Sequence, residues 1–233
     1  MEENNPYNNW DVVRQYEARY LHHPNVSDET DFEIHTIKSV LSSEDYKSWC
    51  DVACGTGFHL RYTPSKKDIT RVGVDRSQMM MDVHAREYHY KVDFVCDDVL
   101  QYEPDRKFDL VTNFWFGYSH QETLEAVGMF FDKMIDITAP GGSIILSFHN
   151  QWKIFDKIPL HDDEPMGGFF SFDAMVWSYE EPAAPGCVYQ CVVPHKQLII
   201  NHFRPFFGSA NLIQYPEGSG PGGREILYLK NKL

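Results

Sequence analysis

The feature that most constrains this chain of 233 residues is a glycine-rich turn after a short apolar run. Residues 48–57 read Ser-Trp-Cys-Asp-Val-Ala-Cys-Gly-Thr-Gly, so that Gly55 and Gly57 follow directly on the run. Glycine adopts positive φ readily and lets a ligand approach where a Cβ would block it. In an open α/β sheet such a turn lies at the carboxyl edge of the first strand, where ligands bind. The stretch therefore predicts a binding site after the first strand.

An acidic residue follows the next β-rich run. Residues 71–77 read Arg-Val-Gly-Val-Asp-Arg-Ser, and Asp75 lies 18 residues beyond Gly57. A carboxylate at the end of the second strand can accept the hydroxyl protons of a ribose. The spacing therefore favours a nucleoside ligand. A dinucleotide enzyme would carry G-x-G-x-x-G, with a pyrophosphate on the helix N-terminus. The third glycine is replaced by Leu60 here, which argues against NAD or flavin.

The residues from Asp51 to Gly57 resemble motif I, D-x-x-x-G-x-G, of class I methyltransferases that use S-adenosylmethionine (SAM). Phe108-Asp-Leu-Val resembles the fourth strand of that family, and Ala139-Pro-Gly-Gly resembles its motif before strand five. With Asp75, these landmarks keep the family's order over residues 48–148. The resemblance implies an α/β, Rossmann-like three-layer sandwich with a mostly parallel seven-stranded sheet. It implies SAM as cofactor and S-adenosylhomocysteine (SAH) as product.

The resemblance also implies a set of cofactor-binding residues. Asp75 is expected at the ribose. Asp97 is the best match for an acid at the adenine amino group, with Asp98 as the alternative. Asn113 is expected beside the sulfonium, and the aromatic faces that follow it favour a cation. The full predicted set is Asp51, Ala53, Gly55, Gly57, Asp75, Arg76, Asp97, Asp98, Asn113 and Phe114.

Three side chains are candidates for a general base, which methyl transfer needs only if the acceptor carries a proton. His149 follows the predicted fifth strand, His120 follows the fourth, and Tyr16 comes from an N-terminal helix, where Tyr20 is an alternative. Strand ends carry the site in this architecture, which favours His149. The chain has 11 histidines, so any one of them is more often structural than catalytic.

The pattern predicts a single domain over residues 1–233, with an N-terminal helical cap over 1–42. Helical spacing predicts a helix over 9–21 with Trp10, Val13, Tyr16, Tyr20 and Leu21 on one side, and a second after Ser27-Asp28. The strongest helix is predicted over 120–139, before a fifth strand over 143–148.

The C-terminal part is predicted to carry a small antiparallel β insertion. The region 151–195 is expected over the active site, with a loop over 151–168 and strands over 169–181 and 187–194. A helix over 196–209 and strands near 211–216 and 224–230 would then close the sheet.

The composition limits the kinds of partner and location that are expected. A formal charge of −13 argues against binding a phosphate backbone, so no nucleic acid partner is expected. No apolar run approaches the roughly 18 residues of a membrane span. The polar start is unlike a signal peptide and favours a cytoplasmic location. Five cysteines without a C-x-x-C pair predict reduced thiols and no metal site. A monomer or homodimer is expected.

The predicted function is transfer of a methyl group from SAM to a nitrogen or oxygen of a small-molecule acceptor. The insertion is similar to that of sugar-amine N-methyltransferases, which points to natural-product or sugar metabolism. An alternative stays open: some proteins of this fold bind SAM without transferring its methyl and act as cyclases or partner subunits. Formation of SAH with an acceptor would distinguish the two.

Overall fold

The computed structural model of the chain describes residues 6–22, 27–64, 68–83, 91–149, 173–181, 184–186, 188–216 and 224–233. Its strands are β1 (Ser48–Val52), β2 (Thr70–Asp75), β3 (Val92–Cys96), β4 (Phe108–Asn113), β5 (Thr138–His149), β6 (Ala174–Glu180), β7 (Val188–Pro194), β8 (Phe207–Gln214) and β9 (Arg224–Lys232). Its α-helices are α1 (Trp10–Tyr16), α2 (Ser27–Ser43), α3 (Phe58–Tyr62), α4 (Gln78–Asp82), α5 (Leu124–Ile137) and α6 (Lys196–Phe203).

Seven of the strands form one sheet in the order β3-β2-β1-β4-β5-β9-β8. Strands β1 to β5 run parallel, whereas β9 is antiparallel to both β5 and β8. The chain order reverses between β1 and β4, and such a switch point opens a crevice at the carboxyl ends of the two strands. This topology confirms the predicted Rossmann-like fold class.

Helices cover both faces of the sheet, as the three-layer prediction requires. On one face, Phe131 of α5 and Phe203 of α6 pack with ring centroids 5.0 Å apart over the buried strands. On the other face, Ile37 of α2 and Leu60 of α3 pack against Trp49 of β1. Because both faces are covered, every residue of β1 is buried.

Helix α5 and strand β5 differ from the prediction in their bounds. The helix starts at Leu124 because the Thr123 hydroxyl accepts a hydrogen bond from the Ala126 N–H, 3.1 Å away. The strand begins at Thr138, five residues before the predicted start, where it pairs with Phe108 through an irregular register. The sequence Pro140-Gly-Gly indicated a turn, but these residues lie within the bulged start of the strand.

The β insertion is an antiparallel pair, in agreement with the prediction. Strands β6 and β7 pair from Ala174 with Pro194 to Glu180 with Val188. The predicted loop over 151–168 lies outside the described residues. Helix α6 ends at Phe203, earlier than predicted, and β8 begins at Phe207 after a 3₁₀ turn that contains Pro205.

The N-terminal helix is buried on much of the predicted side, but not at its first residue. Helix α1 passes into a π-helical turn (Glu17–Leu21). Val13 and Leu21, both predicted on that side, are buried, and so is Val12, whereas Trp10 is 39% exposed. None of the helices in the described part of the chain is long and apolar enough to cross a membrane.

Candidate functional site

The glycine-rich turn lies at the carboxyl end of β1, at the switch point of the sheet. Ala53, Gly55 and Gly57 all have left-handed backbone conformations, with φ of 52°, 56° and 70°. Gly57 caps the N-terminus of α3, and its carbonyl accepts the Arg61 N–H at 2.9 Å. Left-handed positions reverse the chain within a few residues and are easiest for glycine. The turn therefore brings backbone to the sheet edge with few side-chain atoms in the way.

Asp75 connects the end of β2 to this turn. One carboxylate oxygen accepts the Gly55 N–H at 2.8 Å, and the other accepts the Ser77 N–H at 2.8 Å. Burial raises the pKa of Asp75, and these two N–H groups oppose that shift. A carboxylate offers about four acceptor positions, so lone pairs remain for a ligand. Asp75 both shapes the turn and can bind hydroxyl groups beside it.

Asp51 lies beneath the turn and is 2% exposed. One of its oxygens accepts a hydrogen bond from the Thr112 hydroxyl at 2.5 Å, and Thr112 in turn accepts the Trp49 indole N–H. The other oxygen accepts no hydrogen bond from the described residues. Burial raises the pKa of Asp51 to about 6, with the charge of His59 and the Thr112 hydroxyl acting in the opposite direction. Asp51 therefore presents an unshared acceptor to the site.

A buried glutamate organises the adjoining wall. Glu33 of α2 is fully buried, and its carboxylate accepts hydrogen bonds from Trp115 Nε1 at 3.1 Å and from the Tyr215 hydroxyl at 2.5 Å. His59 Nε2 lies 2.9 Å from the same carboxylate. The His59 ring stacks on Phe114, with centroids 4.4 Å apart. Glu33 thus orients groups from α3, from the segment after β4 and from the C-terminal part of the chain.

The segment after β4 has an unusual backbone. Trp115 and Phe116 have φ of 53° and 59°, which is uncommon for bulky residues. The guanidinium carbon of Arg224 lies 4.0 Å from the Trp115 ring centroid and 5.1 Å from that of Phe116. Arg224 also forms an ion pair of 2.5 Å with the buried Glu29. These contacts hold a segment that would otherwise relax from a costly conformation.

Residues of the N-terminal part form hydrogen bonds to the glycine-rich turn and to the β insertion. Glu17 accepts hydrogen bonds from the Thr56 hydroxyl and from Arg61, so the π turn is bonded to the glycine-rich turn and to α3. Arg19 and Tyr20 donate to the buried Glu181, at 2.8 Å and 2.7 Å, beside the end of β6. The N-terminal part of the chain and the β insertion are therefore joined to each other.

A cluster of aromatic rings joins the N-terminal part to β7 and to the segment after β4. The Tyr7 ring stacks on Tyr189 of β7 with centroids 5.8 Å apart, and packs edge-on against Tyr16 and His120. The Ser77 hydroxyl donates a hydrogen bond to the Tyr7 carbonyl. Burial, and next the charge of Arg76, lower the pKa of His120 to about 4. His120 is therefore neutral at physiological pH, and one of its ring nitrogens can accept a hydrogen bond.

These groups surround one cleft of about 930 Å³, which includes its open mouth. Nine of the predicted site residues line it: Tyr16, Asp51, Ala53, Gly55, Asp75, Arg76, Asp98, Phe114 and His120. The cleft thus brings most of the predicted set together. The other lining residues were not assigned to the site from the sequence: Tyr7, Leu21, Cys54, Thr56, Phe58, His59, Ser77, Met80, Val99, Trp115, Gly117, Gln121 and Phe130.

Four predicted residues stand apart from the lining set. Gly57 caps the N-terminus of α3 and is not among the residues that line the cleft. Asp97 accepts the Asp98 N–H, and it is Asp98, the alternative, that lines the cleft. Asn113 donates to the Val52 carbonyl at 2.7 Å, which joins β4 to β1. His149 ends β5, paired with Arg224, and its side chain lies outside the described residues.

The residues that the sequence interpretation missed gave weak signals. His59 lies two residues after Gly57 in the first turn of α3, a position that only the turn marks as close to a ligand. Glu33 is one helical turn from Ile37, so it belongs to the apolar face of α2 although it is an acid. No group of three or more metal-ligating side chains occurs in the described part of the chain.

The cleft fits SAM on two observations of its own. A Cβ placed on Gly55 would lie 3.2 Å from Met80 Cε, so glycine keeps room between two lining residues. Asp51 lines the cleft and offers an acceptor that the described residues leave unused. Acidic acceptors at both Asp75 and Asp51 suit a ligand that carries hydroxyl groups and positive charge.

Comparison with known proteins shows what the chain resembles. Residues 50–142, less than half of the chain, match a family described as a methyltransferase domain. The whole chain is similar in fold to a SAM-dependent methyltransferase from Clostridium acetobutylicum, with a TM-score of 0.61, 17% identity and coverage of 98% of this chain and 100% of that one.

Two further relatives are more specific in name. The N-methyltransferase NodS from Bradyrhizobium japonicum, in complex with SAH, has a TM-score of 0.59, 12% identity and coverage of 94% of this chain and 98% of that one. Over 109 residues the chain is 29% identical to a ubiquinone biosynthesis O-methyltransferase from Bradyrhizobium diazoefficiens. That match covers 45% of this chain and spans 41% of the curated relative.

The structural matches confirm the predicted fold class, and the sequence match over residues 50–142 agrees with the predicted family. The glycine-rich turn, Asp75 and β4 all lie inside the matched residues 50–142. The N-terminal cap and the β insertion lie outside that range.

Proposed function

We propose that this protein transfers the methyl group of SAM to a nitrogen or oxygen of a small-molecule acceptor. The observation that carries the proposal is the position of the cleft. It lies between the glycine-rich turn with Asp75 on one side and the rings of Tyr7, Tyr16 and His120 on the other. One side offers acceptors for a nucleoside, and the other encloses space for a second reactant.

The cofactor side is built from the ends of β1, β2 and β3. Asp75 binds the ribose hydroxyls, and Asp98 with Val99 borders the adenine. The backbone at Gly55 lets the ligand pass close to the turn. When bound, SAM supplies a methyl carbon that is already activated by its sulfonium. The chain's own task is alignment, which alone can lower a barrier by about 7–11 kcal/mol.

The acceptor side is built from the N-terminal cap, the segment after β4 and β7. Rings enclose this side and exclude water, and their faces favour a cation such as an alkylammonium or sulfonium. His120 is neutral at physiological pH because burial lowers its pKa, so it can take a proton from an amine or hydroxyl. Tyr16 and His149 remain the other candidates for that role.

Both relatives with specific names support a nitrogen or oxygen acceptor, since one is an N-methyltransferase and the other an O-methyltransferase. We further propose a sugar or natural-product acceptor, a cytoplasmic location and a monomer or homodimer without nucleic acid. A formal charge of −13 supports the last point, because a phosphate backbone would be repelled.

The test is an acceptor screen. Mass spectrometry first identifies any ligand that co-purifies, and methyl-labelled SAM is then incubated with amines, amino sugars, phenols and hydroxy acids. We expect SAH to form in step with a labelled product, and only when acceptor is present. The Gly55→Ala variant, in which the turn is altered, serves as the matched loss-of-binding control. Tight SAM binding without SAH formation from any acceptor would contradict methyl transfer and favour a cyclase or partner subunit.

A further inference from the structure

Arg76 is the only lysine or arginine among the described residues that line the cleft. It follows Asp75 at the end of β2 and is exposed. Its side chain forms no ion pair with the described residues. The carboxylate of Asp75 next to it instead accepts the Gly55 and Ser77 N–H groups. The guanidinium of Arg76 is therefore a positive charge in the cleft without a partner from the described part of the chain.

Arg76 lies close to the rings to which the proposed function assigns the acceptor. Ser77, the next residue, donates its hydroxyl hydrogen to the Tyr7 carbonyl. The Tyr7 ring packs edge-on against His120, with centroids 6.0 Å apart. The charge of Arg76 also reaches His120, because burial and next this charge lower the pKa of that imidazole. A ligand among these rings is therefore within reach of the guanidinium or of its field.

The charge of the cofactor does not explain this arginine. SAM carries a sulfonium and an ammonium against one carboxylate, so its net charge is positive. The aspartates of the lining set, Asp51, Asp75 and Asp98, attract such a cation, whereas Arg76 repels it. An anionic second ligand would be attracted by the guanidinium and by the sulfonium together. The charges in the cleft therefore favour an acceptor that carries a negative charge.

We propose that Arg76 selects the acceptor, and that the acceptor carries an anionic group, a carboxylate or a phosphate, in addition to the nitrogen or oxygen that is methylated. The inference rests on the proposed function, because it uses the assignment of one side of the cleft to the acceptor. Arginine suits this role, since its planar guanidinium donates paired hydrogen bonds to the oxygens of a carboxylate or phosphate. The rings of Tyr7 and His120 then pack against the uncharged part of the acceptor.

A second interpretation assigns Arg76 to the cofactor, as the sequence predicted. A guanidinium can stack on an aromatic ring such as adenine, or bind the carboxylate of the cofactor. Either contact would be made with SAH alone, whereas the proposed contact needs the acceptor. The affinity for SAH, measured without an acceptor, therefore distinguishes the two interpretations.

The test is calorimetric titration of the SAH-saturated protein with matched aromatic amines, chosen because rings enclose the acceptor side. 4-Aminobenzoate and 4-aminobenzamide differ only in a carboxylate against a neutral amide, and 4-aminophenyl phosphate presents a phosphate. We expect at least one of the two anions to bind about ten-fold or more tighter than the amide, as gain of a charge-assisted hydrogen bond does. Arg76→Gln should remove this preference, and Arg76→Lys should keep part of it because the charge remains. The anion that binds more tightly identifies the group.

The control is Arg106→Gln, which removes an exposed arginine between β3 and β4 that is not among the described lining residues. It should bind every probe like the wild type, and SAH affinity should be the same in all variants. A wild type that binds neither anion, or binds them no better than the amide, would overturn the proposal. So would an Arg76→Gln variant that keeps the preference or that loses affinity for SAH. Failure of the proposed function looks different: the anions bind the SAH complex, but SAM yields no SAH with any acceptor.

Discussion

The Asp75 carboxylate accepts the Gly55 N–H at 2.8 Å, so the end of β2 holds the glycine-rich turn that follows β1. Its second oxygen accepts the Ser77 N–H, and the Ser77 hydroxyl in turn caps α4 at Met80. A single side chain thereby fixes two backbone segments at the edge of the cleft. The residue proposed to bind the ribose is also the one that shapes the surface around it.

Replacing Asp75 by alanine should therefore weaken SAM more than the loss of one ligand contact would. Each charge-assisted hydrogen bond contributes about 1.5–3 kcal/mol, so we expect a loss in affinity of ten-fold or more. Calorimetric titration with SAH measures it. The Asp93→Ala variant, altered at an exposed acid of β3, is the control and should bind normally. An unchanged dissociation constant for Asp75→Ala would mean that another residue binds the ribose.

The Gly55→Ala variant tests the turn. Gly55 and Gly141 both have positive φ, but a Cβ on Gly141 meets nothing within 4 Å, whereas one on Gly55 lies 3.2 Å from Met80 Cε in the cleft. Both alanine variants should lose about 1–2 kcal/mol of stability from the left-handed backbone. Only Gly55→Ala should also lose SAM affinity. Urea unfolding measures the stability of both variants, and calorimetry measures their affinity for SAM. Equal SAM affinities of the two variants would contradict the assignment of the turn to the site.

Asp51 should make stability depend on pH. Its folded pKa of about 6 lies above its ordinary value of 3.8, so the folded state holds the proton more tightly than the unfolded state. The stability that Asp51 contributes in its protonated form is therefore lost as pH rises from about 4 through about 6.

The Asp51→Asn variant removes this titration. Its free energy of unfolding, relative to the wild type, should rise by about 2–3 kcal/mol between pH 4 and pH 7 in the absence of ligand. Urea unfolding at several pH values measures the difference. A difference that stays constant with pH would show that Asp51 is ionised throughout and that its burial costs little.

His120 should affect turnover and not cofactor binding. His120→Phe keeps the ring contacts with Tyr7 and Tyr189 and removes both nitrogens. If the acceptor loses a proton, kcat should fall by about 10²–10⁴ with SAM affinity unchanged. Because the pKa of His120 is about 4, this residue should cause no change in rate between pH 6 and pH 8. Normal turnover of His120→Phe would show that His120 is not the general base. The remaining candidates are His149 and Tyr16, which His149→Ala and Tyr16→Phe test.

The sheet could be predicted from sequence because its signals are local. A buried strand, a Gly-x-Gly turn and an acid after the next strand lie within 28 residues, from Ser48 to Asp75. The bounds were less predictable where two signals compete. Pro140-Gly-Gly indicates a turn, yet pairing between Thr138 and Phe108 extends β5 through it. The π turn after α1 was likewise not predicted from the helical spacing.

The cleft itself was predictable only in part, because residues around it are held by contacts between distant parts of the chain. Glu33 meets Tyr215 across 182 residues, and Glu181 meets Arg19 across 162. An acid on a helix normally indicates a solvent-facing position, and nothing local shows that its partner arrives from the other end of the chain. Asn113, in contrast, lies where it was predicted along the chain, but its amide joins two strands.

Calorimetric titration of the wild type with SAM, SAH and NAD tests the central claim most directly. We predict that SAM and SAH bind at one site and that NAD gives no heat, because the glycine-rich turn has Leu60 where a dinucleotide fingerprint needs its third glycine. Asp75→Ala should reduce the affinity for SAM and SAH alike. Binding of NAD with no heat from SAM would contradict the account.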